Sequence, residues 1–274
     1  MKDSGDCGNG GSGPQEGLAL SLLASFRVVL DGHPINGRLT GKAWHLLKIL
    51  TLNFRRYVTK EALIEMLWPD VDPRTGAISL KVAAHKLRMA LGQDRENRDQ
   101  EQWILMDNGT YRLNRAANIW IDAEAFRQHY ERGRRGINPR HEFEQAETLY
   151  QGDLLEEDIY EEWTLLQREE LRDLYLDVLQ RLAHQTSQLG DHSEVIRYCH
   201  KIVLVDPCRE DAYRMLMRSH AALNQLARAG SWYAICRASL QKEIGAPPST
   251  ETVEVFEGLF DRPPRSQAFR ALAP

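Results

Sequence analysis

Lys81, His85 and Arg88 stand at positions i, i+4 and i+7, which lines them along one stripe of a helix surface, with Lys86 beside them. Cations arrayed in this way suit a row of phosphates and the acceptor-rich edges of bases. Such a stripe is more often only the solvated face of a helix, so its meaning rests on the elements around it. Enzyme chemistry finds no comparable constellation. There is no G-x-x-x-x-G-K-[ST], no G-x-G-x-x-G after a strand, no H-E-x-x-H and no G-x-S-x-G. The Gly-rich run 8–13 follows no strand and lacks a lysine. His184, His192 and His200 have acidic neighbours but no metal-ligand spacing. Cys7, Cys199, Cys208 and Cys236 form no C-x-x-C pair. Three of them (Cys199, Cys208, Cys236) fall in helical patterns, as free cysteines acting as small hydrophobes do. The expectation is a non-enzyme with no cofactor and no metal, in a reducing, cytoplasmic compartment.

The elements that must position the stripe come next. Residues 20–30 are apolar with β-branched residues and stop at the turn pair Asp31-Gly32; a short strand over 33–36 follows. Trp44, Leu47, Leu50 and Phe54 then recur at three- and four-residue steps, predicting a helix that Thr40 caps. Thr59 opens a second helix with Ala62, Leu63, Met66 and Leu67 as its buried stripe, closed by Trp68-Pro69. Residues 70–76 read as a loop. Leu80, Ala84, Leu87 and Leu91 make the apolar side of a third helix that ends at Gly92. Residues 95–102 form a polar connector. Strands over 103–106 and 111–113 flank a turn at Asp107-Asn108-Gly109. The order sheet, three helices, hairpin is that of a winged helix-turn-helix.

From Asp122 onward the pattern is helical throughout, with helices over 123–135, 141–150, 161–189, 193–205, 209–223, 226–244 and 250–260. Leu189-Gly190 and Leu223-Asn224 lie 34 residues apart, and Tyr198 aligns with Trp232 at the same offset, the period of a tetratricopeptide-like repeat. The fold class is therefore mainly α: an α+β winged helix followed by an all-α helical-repeat domain. Its limits are a disordered tail at 1–17, the winged helix at 18–116, the helical domain at 120–260 and a flexible tail at 261–274. Met1–Gly17 is Gly-, Asp- and Ser-rich rather than a signal peptide. The formal net charge of −4 hides an asymmetry. Residues 18–116 hold 15 Lys+Arg against 10 Asp+Glu, and residues 117–260 hold 16 against 25. A basic first half fits contact with a polyanion.

The segments VVLDGHPI (28–35), YVTKEALIEMLWPD (57–70), LKVAAHKLRMALG (80–92) and NGTYRLN (108–114) resemble the OmpR/PhoB-type effector domain, in the version found in the Streptomyces antibiotic regulatory protein family. The most specific part is the spacing of Val82, Leu87, Arg88, Leu91 and Gly92. The segments YQGDLL (150–155), EEWTLLQREEL (161–171), QLGDHSEVI (188–196), DPCREDAYRMLMR (206–218) and IGAPPSTET (244–252) resemble the bacterial transcriptional activator domain, which follows the winged helix in that family. The resemblance implies a DNA-binding transcription regulator, an activator that recruits RNA polymerase and binds double-stranded promoter DNA in tandem or as a homodimer. It puts Lys81, His85, Lys86 and Arg88 on the recognition helix and Thr110 and Arg112 on the wing. Arg74, Thr75 and Ser79 join them as candidate DNA-binding residues, and the loop 68–76 faces the polymerase. Ala83 stands where the family often carries a polar reader, and the Ala83-Ala84 pair together with the acidic second domain motivates the alternative: a degenerate winged helix on a protein-interaction adaptor.

Overall fold

The computed structural model describes residues 16–35, 37, 39, 41–93 and 102–260. Apart from Glu16, Gly17 and Gln102, the two expected tails and the polar connector lie outside the described residues, as do Thr40, Cys7 and the glycine run 8–13. Two compact units are present, one holding the chain up to Arg132 together with Gln145–Leu171, the other Gly133–Glu144 and the chain from Arg172 onward.

In the first unit, β1 (Leu18–Ser21) and β2 (Arg27–Leu30) pair antiparallel, and β3 (His33–Pro34) extends the sheet on the far side of β2. The apolar run 20–30 is thus two strands rather than one, because Ala24 takes a left-handed φ of 71° and the chain turns back there. The predicted turn at Asp31-Gly32 is formed, with both residues at positive φ. Helices α1 (Lys42–Leu52), α2 (Lys60–Leu67) and α3 (Pro73–Ala90) follow, with the two-residue strand β4 (Val58–Thr59) ahead of α2. A second sheet, in the order β4-β6-β5, contains the hairpin β5 (Ile104–Asp107) and β6 (Thr110–Leu113). Helix α1 starts after Gly41, which makes no side-chain cap. Thr59 does cap α2, its hydroxyl oxygen accepting the Ala62 N–H at 3.2 Å. Leu46, Leu47, Ile49, Leu50, Leu63, Leu67, Leu80 and Leu87 form the core of this three-helix group. Ala62 and Met66, expected in the buried stripe of α2, instead line a cleft of about 380 Å³ with Tyr57 and Trp163.

Strand β7 (Ile119–Ile121) pairs parallel with β1, closing the first sheet in the order β3-β2-β1-β7. Its end places Asp122, the first residue of α4 (Asp122–Arg134), against the turn after β1. The buried Asp122 carboxylate accepts the N–H groups of Leu22 (2.8 and 2.9 Å), Leu23 (3.0 Å) and Ala123 (2.7 Å). Burial pushes its carboxyl up to about 6, against the pull of those donors. The native state then binds more protons than the unfolded chain between the ordinary 3.8 and about 6. Stability from this group is full below that window and falls as pH rises through it, by ~3 kcal/mol in all. Wild type should therefore lose stability relative to Asp122→Asn between pH 4 and pH 7 in equilibrium unfolding. Equal slopes for the two proteins would contradict this.

The segment after α5 (Pro139–Leu149) also belongs in part to this unit. Leu23 bridges to Leu154, and a 3₁₀ turn at Glu156–Asp158 precedes α6 (Glu162–Gln188). Buried Arg168 donates to the carbonyls of Leu154 (2.9 Å), Leu155 (3.2 Å) and Asp158 (3.2 Å), so it fixes this turn through backbone oxygens. Opposite it, Lys48 of α1, only 2% exposed, places its Nζ 2.5 Å from Asp158 and 3.1 Å from Glu157.

The second unit contains two helical hairpins, α7 (His192–Val205) with α8 (Glu210–Ala222), and α9 (Leu226–Glu243) with α10 (Thr250–Phe260). The first helices of the two hairpins start 34 residues apart, as the repeat predicts. The second helices start 40 apart, because α9 is a turn longer than α7 and its loop is longer too. Tyr198 and Tyr213 are buried core aromatics, and Tyr233 stacks on Phe256 at 4.1 Å. Cys208 lies in the turn between α7 and α8 rather than in a helix. Cys199 and Cys236 are buried thiols pushed up to about 12 by burial, which makes them inert.

Candidate nucleic-acid interface

Helix α3 begins three residues into the expected loop. Asp72 caps it by accepting the N–H groups of Arg74 and Thr75, each at 3.1 Å, and Pro73 supplies the fixed φ that suits a first turn. Hydrogen bonds from Thr75, its hydroxyl foremost, hold the Asp72 carboxyl below its ordinary value. Eighteen residues long, the helix buries Gly76, Leu80, Ala83, Ala84 and Leu87. Gly76 packs so closely on Ile64 of α2 that a Cβ would collide with that side chain. Gly76→Ala should therefore cost ~1–3 kcal/mol, read as a lower melting temperature, since the two helices must part to admit a methyl. An unchanged melting temperature would show that the contact yields freely.

The remaining surface of α3 faces outward. Lys81, His85 and Lys86 are exposed, Ser79 and Arg88 half-buried, Arg74 and Thr75 exposed in the first turn. Ala83 and Ala84 point inward, 5% and 3% exposed. Ala83 is therefore a core residue rather than an empty reading position, and the pair gives no ground for a degenerate module. Between the cations, Ile78, Val82 and Met89 are exposed apolar side chains, outside the apolar stripe that the spacing predicts.

The hairpin beside α3 is tightly made. Asn108 and Gly109 both take positive φ, as a two-residue turn of the primed type requires. The Thr110 hydroxyl donates to the Asp107 carbonyl at 2.7 Å, so it closes the turn. The Arg112 guanidinium lies 4.6 Å from the centre of the exposed Tyr57 ring, a cation–π contact that favours this orientation. Tyr57 was not legible as a site residue, because nothing in the sequence pairs it with a strand more than fifty residues away. Arg88 sits near Tyr111, where burial pushes the phenol up and the Arg88 charge acts against it.

Residues 35–110 match the family model described as transcriptional regulatory protein, C terminal, and residues 121–259 match the bacterial transcriptional activator domain. The chain belongs to the bacterial transcriptional activator domain family, in its Streptomyces antibiotic regulatory protein form. It is 25% identical over 226 residues to the regulatory protein AfsR of Streptomyces griseus, a match covering 78% of this chain and 22% of that protein. The chain thus spans about a fifth of that relative. Among solved structures, EmbR of Mycobacterium tuberculosis, in complex with a low-affinity phosphopeptide, shares the fold with a TM-score of 0.70. That match is 20% identical and covers 89% of this chain and 65% of EmbR. Among the described residues, no helix is long and apolar enough to cross a membrane, and no group of His, Cys, Asp or Glu could hold a metal.

Proposed function

We propose that this regulator binds double-stranded promoter DNA by laying the outward face of α3 in the major groove, and that it acts as an activator by recruiting RNA polymerase. The observation that carries the proposal is the position of Lys81, Lys86 and Arg88 on a helix whose opposite side is locked into the core by Leu80, Ala84 and Leu87. A rigid element presenting cations outward is what phosphate contact demands. Arg74, Thr75 and Ser79 flank the entry of α3, and His85 lies among the cations. Arg112, in contact with Tyr57, reaches the flanking backbone or minor groove, and Thr110 shapes the wing that carries it. The helical repeats tune this grip, and the protein binds repeated sites in tandem or as a homodimer.

Because α3 starts at Pro73, the loop offered to polymerase shortens to residues 68–72, with Pro69 and Asp70 exposed. Run-off transcription with bacterial RNA polymerase tests this reading. A promoter fragment bound by the full chain should yield more transcript when the protein is added, and Asp70→Ala should lose that gain while keeping DNA affinity. Transcript levels indifferent to bound protein would remove recruitment from the account.

A further inference from the structure

The middle of the α3 surface is apolar. Ile78, Val82 and Met89 are 60%, 48% and 52% exposed. Around the helix axis they fall within about 40° of one another, almost opposite Leu87 in the core. Lys81 and Arg88 lie about 60–80° to one side of Ile78, and Lys86 about 80° to the other. Along the axis the three span about 16 Å. His85 and, in the first turn, the exposed Arg74 lie about 20° and 40° from Ile78 on the Lys81 side. Core packing does not account for the three apolar residues, which project away from Leu80, Ala84 and Leu87.

An apolar line flanked by cations on both sides has the cross-section of a major groove, with phosphates along both rims and base edges on a floor about 12 Å wide. The apolar feature of that floor is the C5-methyl group of thymine. We propose that Ile78, Val82 and Met89 read thymine methyl groups, so that the preferred ligand is duplex DNA with thymines spaced across about five base steps. This rests on the DNA-binding reading above. The flanking cations favour DNA over a protein as the occupant, since a polyanion satisfies both rims at once. Gripping falls to the charges, and discrimination falls to the methyls.

The test uses duplexes selected by the full-length chain from a random-sequence library, then remade with deoxyuridine in place of thymine. Each methyl that is read should weaken wild-type binding about fourfold when removed, the worth of one buried methyl-sized group. The variant Ile78→Ala/Val82→Ala/Met89→Ala should bind thymine and deoxyuridine duplexes equally while keeping the wild-type salt dependence; its changes are all on exposed side chains. Selected duplexes without shared thymines would overturn the proposal, as would wild-type indifference to deoxyuridine or a variant that still discriminates. The two readings fail separately. If Lys81→Ala/Lys86→Ala/Arg88→Ala leaves affinity and salt dependence unchanged, DNA binding by α3 fails. If the salt dependence falls but deoxyuridine changes nothing, only the methyl readout fails.

Discussion

Replacing Lys81, Lys86 and Arg88 together by alanine should lower DNA affinity about a hundredfold at ~0.15 M salt and flatten the salt dependence of binding by about 2.7 in log–log slope. The magnitude follows from counterion release: each phosphate contact contributes about 0.9 to the slope, and three contacts compound over the interval from a 1 M reference. The variant should fold normally. Lys81 and Lys86 are exposed, Arg88 is half-buried, and the side of α3 that packs on the core is untouched. Fluorescence anisotropy over a salt series separates the outcomes. A parallel but displaced line would mean that the change acts through shape rather than charge, and an unchanged line would mean that α3 does not touch phosphate.

Lys48→Ala should strongly destabilise the fold, costing ~3–5 kcal/mol and lowering the melting temperature by roughly 10 °C. The lysine is 2% exposed and Asp158 8%, so removing the cation strands a carboxylate in the interior. Glu157 is drawn into the same cluster. Burial pushes its carboxyl up, but the Phe26 N–H at 3.0 Å and the Lys48 ammonium outweigh that and hold it below its usual range. Its contribution is therefore present above the ordinary value of 4.5 and lost as pH falls through the lower folded one. His45 completes the cluster with its Nε2 3.7 Å from Asp158, and Phe26 packs edge-on against Trp44 at 4.8 Å. Through these contacts α1, and with it the helix group that presents α3, is fastened to the turn ahead of α6. Pairing Lys48→Met with Asp158→Leu should recover part of the loss, because the buried charge and its buried partner leave together while the half-exposed Glu157 keeps the Phe26 N–H. Equal instability of the single and double variants would show that shape, not charge, is what the site requires.

Lys48 also marks the limit of what was legible in the sequence. Its neighbours Leu46, Leu47, Ile49 and Leu50 announce a buried helix, yet the partner that makes a buried lysine tolerable stands 110 residues downstream. The same holds for Asp122, which looks like an ordinary helix start and also caps the chain a hundred residues earlier. Periodicity and turn chemistry are local signals, so they foretell α3, the Asn108-Gly109 hairpin and the 34-residue offset of α7 and α9. They cannot foretell which strand lies beside β1, or that Tyr57 supports Arg112. The start of α3 is masked in the sequence for a local reason. Pro73 and Gly76 read as loop residues, whereas Pro suits a first helical turn and Gly76 is required by the contact with Ile64. On α3 itself the cations were legible because charge at helical spacing stands out. Ile78, Val82 and Met89 fall outside the predicted apolar stripe of Leu80, Ala84, Leu87 and Leu91, and the sequence reading attaches no DNA-contact role to them.

Genome-wide mapping of fragments co-purifying with the protein, with wild type and Lys81→Ala/Lys86→Ala/Arg88→Ala compared in the same cells, tests the proposed contact between this face of α3 and DNA. Wild type should give discrete promoter-proximal sites that share one sequence with recurrent thymines, and the variant should give none. The same sites at the same strength for both proteins would contradict the account.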